Sequence, residues 1–207
     1  MKKFSRTSRK AKLDDKILHC RKCEGLNLPE DTMSAPGYGN LKANIMFIGQ
    51  SLHSYNSETP VQIPFRGPSW VQDSGDILES ALKVSGVKFE DVFLTNVVHC
   101  HPPYNRMSTP VEVKNCLPYL IREILLVKPR LLVCLGNSAG QALNIPARER
   151  IRPVQIKTKK RAHSCYGVLV FHPAYIMRKI ETEPDKREEI LDAYSAYFGY
   201  LFDTFGR

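Results

Sequence analysis

No apolar run in this chain approaches the ~20 residues that cross a bilayer, so a membrane-embedded fold is not expected. The basic start, Met1-Lys-Lys-Phe-Ser-Arg-Thr-Ser-Arg-Lys10, leads into Ala-Lys-Leu-Asp-Asp-Lys16 and not into an apolar stretch. That argues against a secretory signal and for a cytoplasmic, reducing compartment. Internal repeats, low-complexity tracts and a composition shift that would mark a second domain are all missing. Acidic residues are scarce: 21 Asp+Glu against 30 Lys+Arg leave a net charge of +9. Such a balance favours a polyanionic partner, and on charge alone nucleic acid and a merely basic, soluble surface weigh about evenly.

What is present suits a soluble globular protein. The 207 residues, 43% hydrophobic and 25% charged, are enough to bury one core. Residues 1–12 read as a flexible basic tail and 13–207 as a single domain, expected to act as a monomer. Four apolar runs read as buried strands: Asn44–Ile48, Asp91–Val98, Arg130–Gly136 and Tyr166–Phe171. Helical spacing appears at Leu13–His19, Asp73–Val84, Ala139–Leu143 and Asp185–Phe202. A further helix starts at Thr109-Pro-Val-Glu112, an N-cap followed by Pro and an acidic first turn, and runs toward Leu126. The alternation predicts an α/β fold, a three-layer α/β/α sandwich around a mostly parallel four-stranded sheet. The basic stretch Gln155–His163 is expected to be partly extended.

Six cysteines in a reducing compartment point to metal ligation, chemistry or packing. Cys20 and Cys23 form a C-x2-C turn that lets two sulfurs face one centre. Cys100 sits just before the break at Pro102-Pro103, and Cys116 lies in the helix beyond it. Four thiolates from these places suit zinc and an iron-sulfur cluster equally well on spacing alone. Cys134, inside an apolar strand, reads as core, and Cys165 as a partly buried thiol.

Taken together, several motifs resemble the iron-sulfur branch of the uracil-DNA glycosylase superfamily, families 4 and 5. They are Cys20-x2-Cys23, Pro64-Phe65-x-Gly67, Thr95-Asn96-Val-Val-x-Cys100-x-Pro-Pro-x-Asn-Arg106, Cys116-x-Pro-Tyr-Leu, Lys128-Pro through Leu-Gly136, and His172-Pro-Ala-Tyr. The likeness is collinear from about residue 17 to residue 179. It implies a [4Fe-4S] cluster on Cys20, Cys23, Cys100 and Cys116, with zinc as the alternative. It also implies that a base is flipped out of DNA, its N-glycosidic bond hydrolysed and an abasic site left. Phe65 is then the stacking ring, Asn96 the reader of the base edge, and Ser51 a further substrate-binding residue. His172 would aim an N–H at the charge that develops on the departing base. The segment from His172 to Arg178 resembles the loop that enters the minor groove. Arg106, Lys160, Arg161, Tyr175 and Arg178 are the expected DNA contacts.

The departure lies after Gly49. Family 4 carries Gly-Glu-Ala-Pro-Gly there, with a carboxylate for the attacking water, whereas this chain reads Gly49-Gln50-Ser51-Leu52-His53. Gln50 orients water but cannot take its proton. Three readings follow: orientation by Gln50 suffices, His53 or Glu58 supplies the base, or the pocket is rebuilt for a modified pyrimidine. A hydroxymethylated or glucosylated base of phage DNA is the example, which would mean phage defence and not base-excision repair. A fourth reading is a protein of the same fold that binds lesions or bases without turnover.

Overall fold

The computed structural model describes residues 5–27, 34–52, 64–65, 74–145, 148 and 150–206, and the structural statements below concern those residues. Its sheet has six strands: β1 (Tyr38–Gly39), β2 (Ile45–Ser51), β3 (Phe93–Val98), β4 (Leu131–Leu135), β5 (Arg152–Lys157) and β6 (Ala162–Val170). They lie in the order β1-β3-β2-β4-β6-β5. The inner four are parallel, and they are the four apolar runs of the sequence. Every side chain of β3 and β4 is buried, as expected of a parallel sheet covered on both faces.

The sheet is therefore wider than the four strands expected, because β1 and β5 add antiparallel edges. β1 has only two residues and offers no periodicity. β5 is mostly exposed, burying only Ile156 fully, and it carries Pro153 and two cations, Arg152 and Lys157. Pro and Lys/Arg are tolerated on an edge, where one row of backbone groups has no neighbour.

Helices cover both faces, and the alternation along β2 sorts the core. Met46 and Ile48 pack with α1 (Arg6–Leu18), α3 (Pro110–Val127) and α4 (Asn137–Ala142). Ile45 and Phe47 face α2 (Ser74–Val84), α5 (Pro173–Thr182) and α6 (Arg187–Phe205), with Phe198 meeting Phe47 edge-on at 5.5 Å. The cap read at Thr109 is a reciprocal capping box: Thr109 Oγ1 accepts from Glu112 N, and the Glu112 carboxylate accepts from Thr109 N.

Two segments differ from the sequence reading. The expected tail over 1–12 is helical from Arg6, because Ser5 caps the helix and Leu13 and Ile17 bury one stripe. Arg6 and Lys10 also anchor this helix by donating to the carbonyls of Leu41 and Gly37. Beyond His172, where a loop was expected, the chain forms α5. His172 is its N-cap and Pro173 its first residue, the position where a missing N–H costs nothing.

Strand order sets the site. From β2 the chain crosses through α2 to β3 on one side, then through α3 to β4 on the other. Ligands of open α/β sheets bind at such a reversal, outside the carboxyl ends of the strands. Here those ends are Gln50 and Ser51, the Asn96–Val98 stretch, Gly136, and His172 after β6.

Candidate active site

A cavity of about 320 Å³ opens at that reversal, at the small end of the ~300–1,000 Å³ usual for small-molecule pockets. It gathers Gln50, Ser51, Phe65, Asn96, His172 and Arg178, six residues expected from the sequence. Asn105, Met107, Asn137 and Ser138 are among the further lining residues and were not expected there. The signals for those four were weak. Asn137 and Ser138 belong to a Gly-Asn-Ser turn that any strand-to-helix junction could use. Asn105 is left-handed (φ 54°), a backbone state Asn tolerates and sequence rarely announces.

The geometry depends on two glycines. A Cβ on Gly49 would lie 2.4 Å from Asn96 Oδ1 and 2.6 Å from Phe65 Cζ, so the amide and the ring meet over bare backbone. Phe65 holds this place with φ 61°, a strained conformation for an aromatic residue and a mark of functional positions. Gly136 (φ 85°) lets the end of β4 approach His172, whose Cβ would be 3.1 Å from an added Cβ.

Three polar groups define the chemistry. Asn96 is 2% exposed, and its Oδ1 has no hydrogen-bond donor among the described residues. An orphaned buried acceptor costs about 1–3 kcal/mol, which a ligand N–H would recover. His172 Nδ1 accepts from Ala174 N at 3.1 Å, so the neutral ring carries its proton on Nε2 as a donor. Gln50 Oε1 accepts from Ser138 Oγ at 2.9 Å, a bond that ties β2 to the α4 turn across the reversal and fixes the carboxamide.

Cys20, Cys23, Cys100 and Cys116 line one small recess with Leu26, Val98 and Asn115, and none is in a disulfide. Asn115 Nδ2 donates to Cys23 Sγ (3.5 Å) and His99 N to Cys116 Sγ (3.3 Å). Burial, and then repulsion from the other three sulfurs, pushes the Cys100 thiol far above its ordinary range. Four cysteines gathered on one recess are the donor set of a sulfur-ligated metal site, in which a positive centre holds the thiolates together. Among the described residues, no three His, Cys, Asp or Glu side chains converge on a single ion. His99 also stands 3.2 Å from Cys116 Sγ through Nδ1 and 3.1 Å from Glu123 through Nε2. Burial alone would lower the His99 pKa, but the Glu123 carboxylate and Cys116 raise it to about 10. Cys134 and Cys165 are both buried; Cys134 is core as expected, and Cys165 is less accessible than expected.

The expected DNA contacts separate. Arg178 lines the cavity, and Tyr175 stacks on Phe171 at 4.7 Å beside it. Arg106 is engaged elsewhere: its guanidinium donates to both oxygens of Glu112 (2.6 and 3.0 Å). Lys160 and Arg161 lie in the β5–β6 turn, at the opposite end of the sheet from His172. The nine residues of β6 put about 27 Å between them at ~3.3 Å per residue. His53 and Glu58 lie outside the described residues.

The comparisons agree with this geometry. The family model described as "Uracil DNA glycosylase superfamily" matches residues 36–195. The chain is 34% identical over 200 residues to a type-4 uracil-DNA glycosylase of Pyrobaculum aerophilum, covering 94% of this chain and 95% of that protein. It is 32% identical over 186 residues to the type-4 uracil-DNA glycosylase of Archaeoglobus fulgidus, covering 86% and 87%. A type-5 uracil-DNA glycosylase of P. aerophilum is 31% identical over 117 residues, about half of each chain (52% and 51%). With a collinear match over most of its length, the cavity at its sheet reversal and four cysteines on one recess, this chain belongs to the uracil DNA glycosylase superfamily and is a DNA glycosylase.

Proposed function

We propose that this glycosylase removes uracil from DNA, and the orphaned Asn96 Oδ1 is the observation that carries the reading. Uracil presents an N–H donor flanked by carbonyls, whereas the same ring position of cytosine is an acceptor. A buried acceptor aimed at that edge satisfies the first and repels the second. The names of the relatives point to the same base.

In this reading the flipped base stacks on Phe65, and its N3–H donates to Asn96. The C1′–N1 bond breaks with its electron pair passing to the base, whose carbonyl oxygen receives the Nε2–H hydrogen bond of His172. The sugar is left as an oxocarbenium ion. Water held by the Gln50 carboxamide, itself fixed by Ser138, adds its oxygen to C1′ and releases a proton to solvent. An electrophile this strong does not need a carboxylate base, which accounts for Gln50 in place of the acid of family 4. Arg178, Tyr175 and the N-terminus of α5 take up the phosphates beside the flipped nucleotide.

The four cysteines fit a [4Fe-4S] cluster, whose role is to cross-link the segment after α1 to the end of β3 and to α3. A cluster gives each of the four thiolates its own iron, and the resemblance to the iron-sulfur branch favours it over zinc, which holds four thiolates on one ion.

The test uses duplex and single-stranded oligonucleotides carrying uracil, cytosine, or hydroxymethylated and glucosylated pyrimidines, with abasic sites cleaved by alkali. Product from uracil and none from cytosine is expected. Product from a modified pyrimidine alone would replace uracil as the substrate, and binding without product on every oligonucleotide would make this a base-binding protein.

A further inference from the structure

A second concave surface lies at the end of the sheet remote from the base pocket. Between α1, the C-terminal half of α3 and the β5–β6 turn, a groove of about 570 Å³ is rimmed by Arg9, Lys16, Arg122, Lys159 and Lys160. Its floor is aliphatic, built from Leu13, Leu125 and Leu126, and no carboxylate lines it among the described residues. Arg9 Nε is buried there with no acceptor among those residues. An unpaired buried guanidinium N–H is costly, and the cost falls when an anion arrives.

The groove continues. Arg122 and Thr158 also line a neighbouring trough of about 750 Å³, where α3 presents Val113, Leu117, Pro118 and Ile121. The groove is thus cationic above an aliphatic floor, and the trough is mainly apolar, with Lys114 and Lys157 as well as Arg122 on its margin.

We propose that this surface docks an acidic segment of a partner protein, its carboxylates along the cationic rim and its apolar side chains in the aliphatic trough. Nucleic acid matches the charge but not the rest. Bases bound as single strands stack on aromatic rings, and the trough offers none. A duplex seated on the base pocket would reach the trough at Met107 and Ser138, which line both cavities, but the cationic groove lies one β6 length further on. An acidic, partly apolar peptide satisfies rim and trough at once.

Fluorescence anisotropy of the full chain with a labelled peptide, a run of Asp followed by Leu and Phe, tests this. Controls are an all-Asp peptide and an oligothymidylate. Wild type is expected to bind the Asp-Leu-Phe peptide more tightly than either control, in a salt-sensitive manner. The double variant K16E/K159E, both at exposed positions, should weaken peptide binding about tenfold while excising from a short duplex at the wild-type rate. Val113→Lys adds positive charge but spoils the trough, so it should weaken the Asp-Leu-Phe peptide and leave the all-Asp peptide unchanged. Absence of peptide binding by wild type overturns the proposal. So does oligothymidylate binding that depends on Lys16 and Lys159 while the peptide fails to compete, which would make the groove a nucleic-acid site. So does stronger peptide binding by Val113→Lys, which would reduce the site to bulk charge. Because excision is measured separately, failure here leaves the uracil reading standing.

Discussion

At the scale of single residues, the pocket's chemistry rests on groups whose partners are already fixed. His172 spends Nδ1 on the backbone of α5, which orients the ring, and the proposed function assigns Nε2 to the departing base. His172→Ala is therefore expected to lower kcat about 10²–10³-fold, the usual loss of one donor to a developing anion, while DNA affinity changes little. Single-turnover excision and a parallel binding titration measure the two, and unchanged turnover would remove the role. Asn96 and His172 were legible as pocket residues because each lies near a strand end inside a multi-residue motif. Ser138 was not. Its contact with Gln50 spans 88 positions and exists only because β2 and β4 are neighbours. The pairing of Arg106 with Glu112 was likewise not announced by its motif, because it arises where the Pro102-Pro103 break folds back on the start of α3.

At the scale of elements, the sequence was most informative where caps and periodicity coincide, as at α3. It was least informative at the edges, since a two-residue strand such as β1 has no pattern of its own. α3 also supplies a pH-dependent contribution to stability. The Arg106 hydrogen bonds, opposed by burial and aided by the Thr109 backbone, lower the Glu112 pKa. A carboxylate with a folded pKa below its unfolded one, ~4.3, stabilises at pH above that value and loses the effect as pH falls through the folded pKa. Glu112→Gln should cost about 1 kcal/mol in urea unfolding at pH 7, with Arg106 partly in water. The gap between wild type and variant should close toward pH 3, and a gap that is constant with pH would show that the charge is not involved. The other late discovery, α5, hid because His-Pro reads equally as a loop and as a cap followed by Pro at the first helical position.

At the scale of the whole molecule, the four-cysteine recess joins ends of the chain that the sheet does not. Cys20 and Cys23 follow α1, Cys100 follows β3, four residues beyond Asn96, and Cys116 lies in α3. The fold class and this pairing of distant cysteines were readable; the extra strands and the remote basic groove were not, because both arise from packing between elements. Cys100→Ser is expected to abolish broad visible absorbance near ~400 nm, typical of sulfur-ligated iron clusters. It should also release α1, read as faster amide exchange over Arg6–Leu18, since a site closed from several elements stabilises them jointly. Full absorbance in that variant would show the ligand set to be different.

Gly49 contributes no reactive atom, yet the Asn96 amide and the Phe65 ring both occupy the volume where its Cβ would be. Any other residue there must displace one of the two groups to which the proposed function gives the base. On the proposed reading, a list of the groups that touch the base omits a position at which any side chain would disturb its recognition: the pocket's selectivity is then specified in part by an atom that is not there.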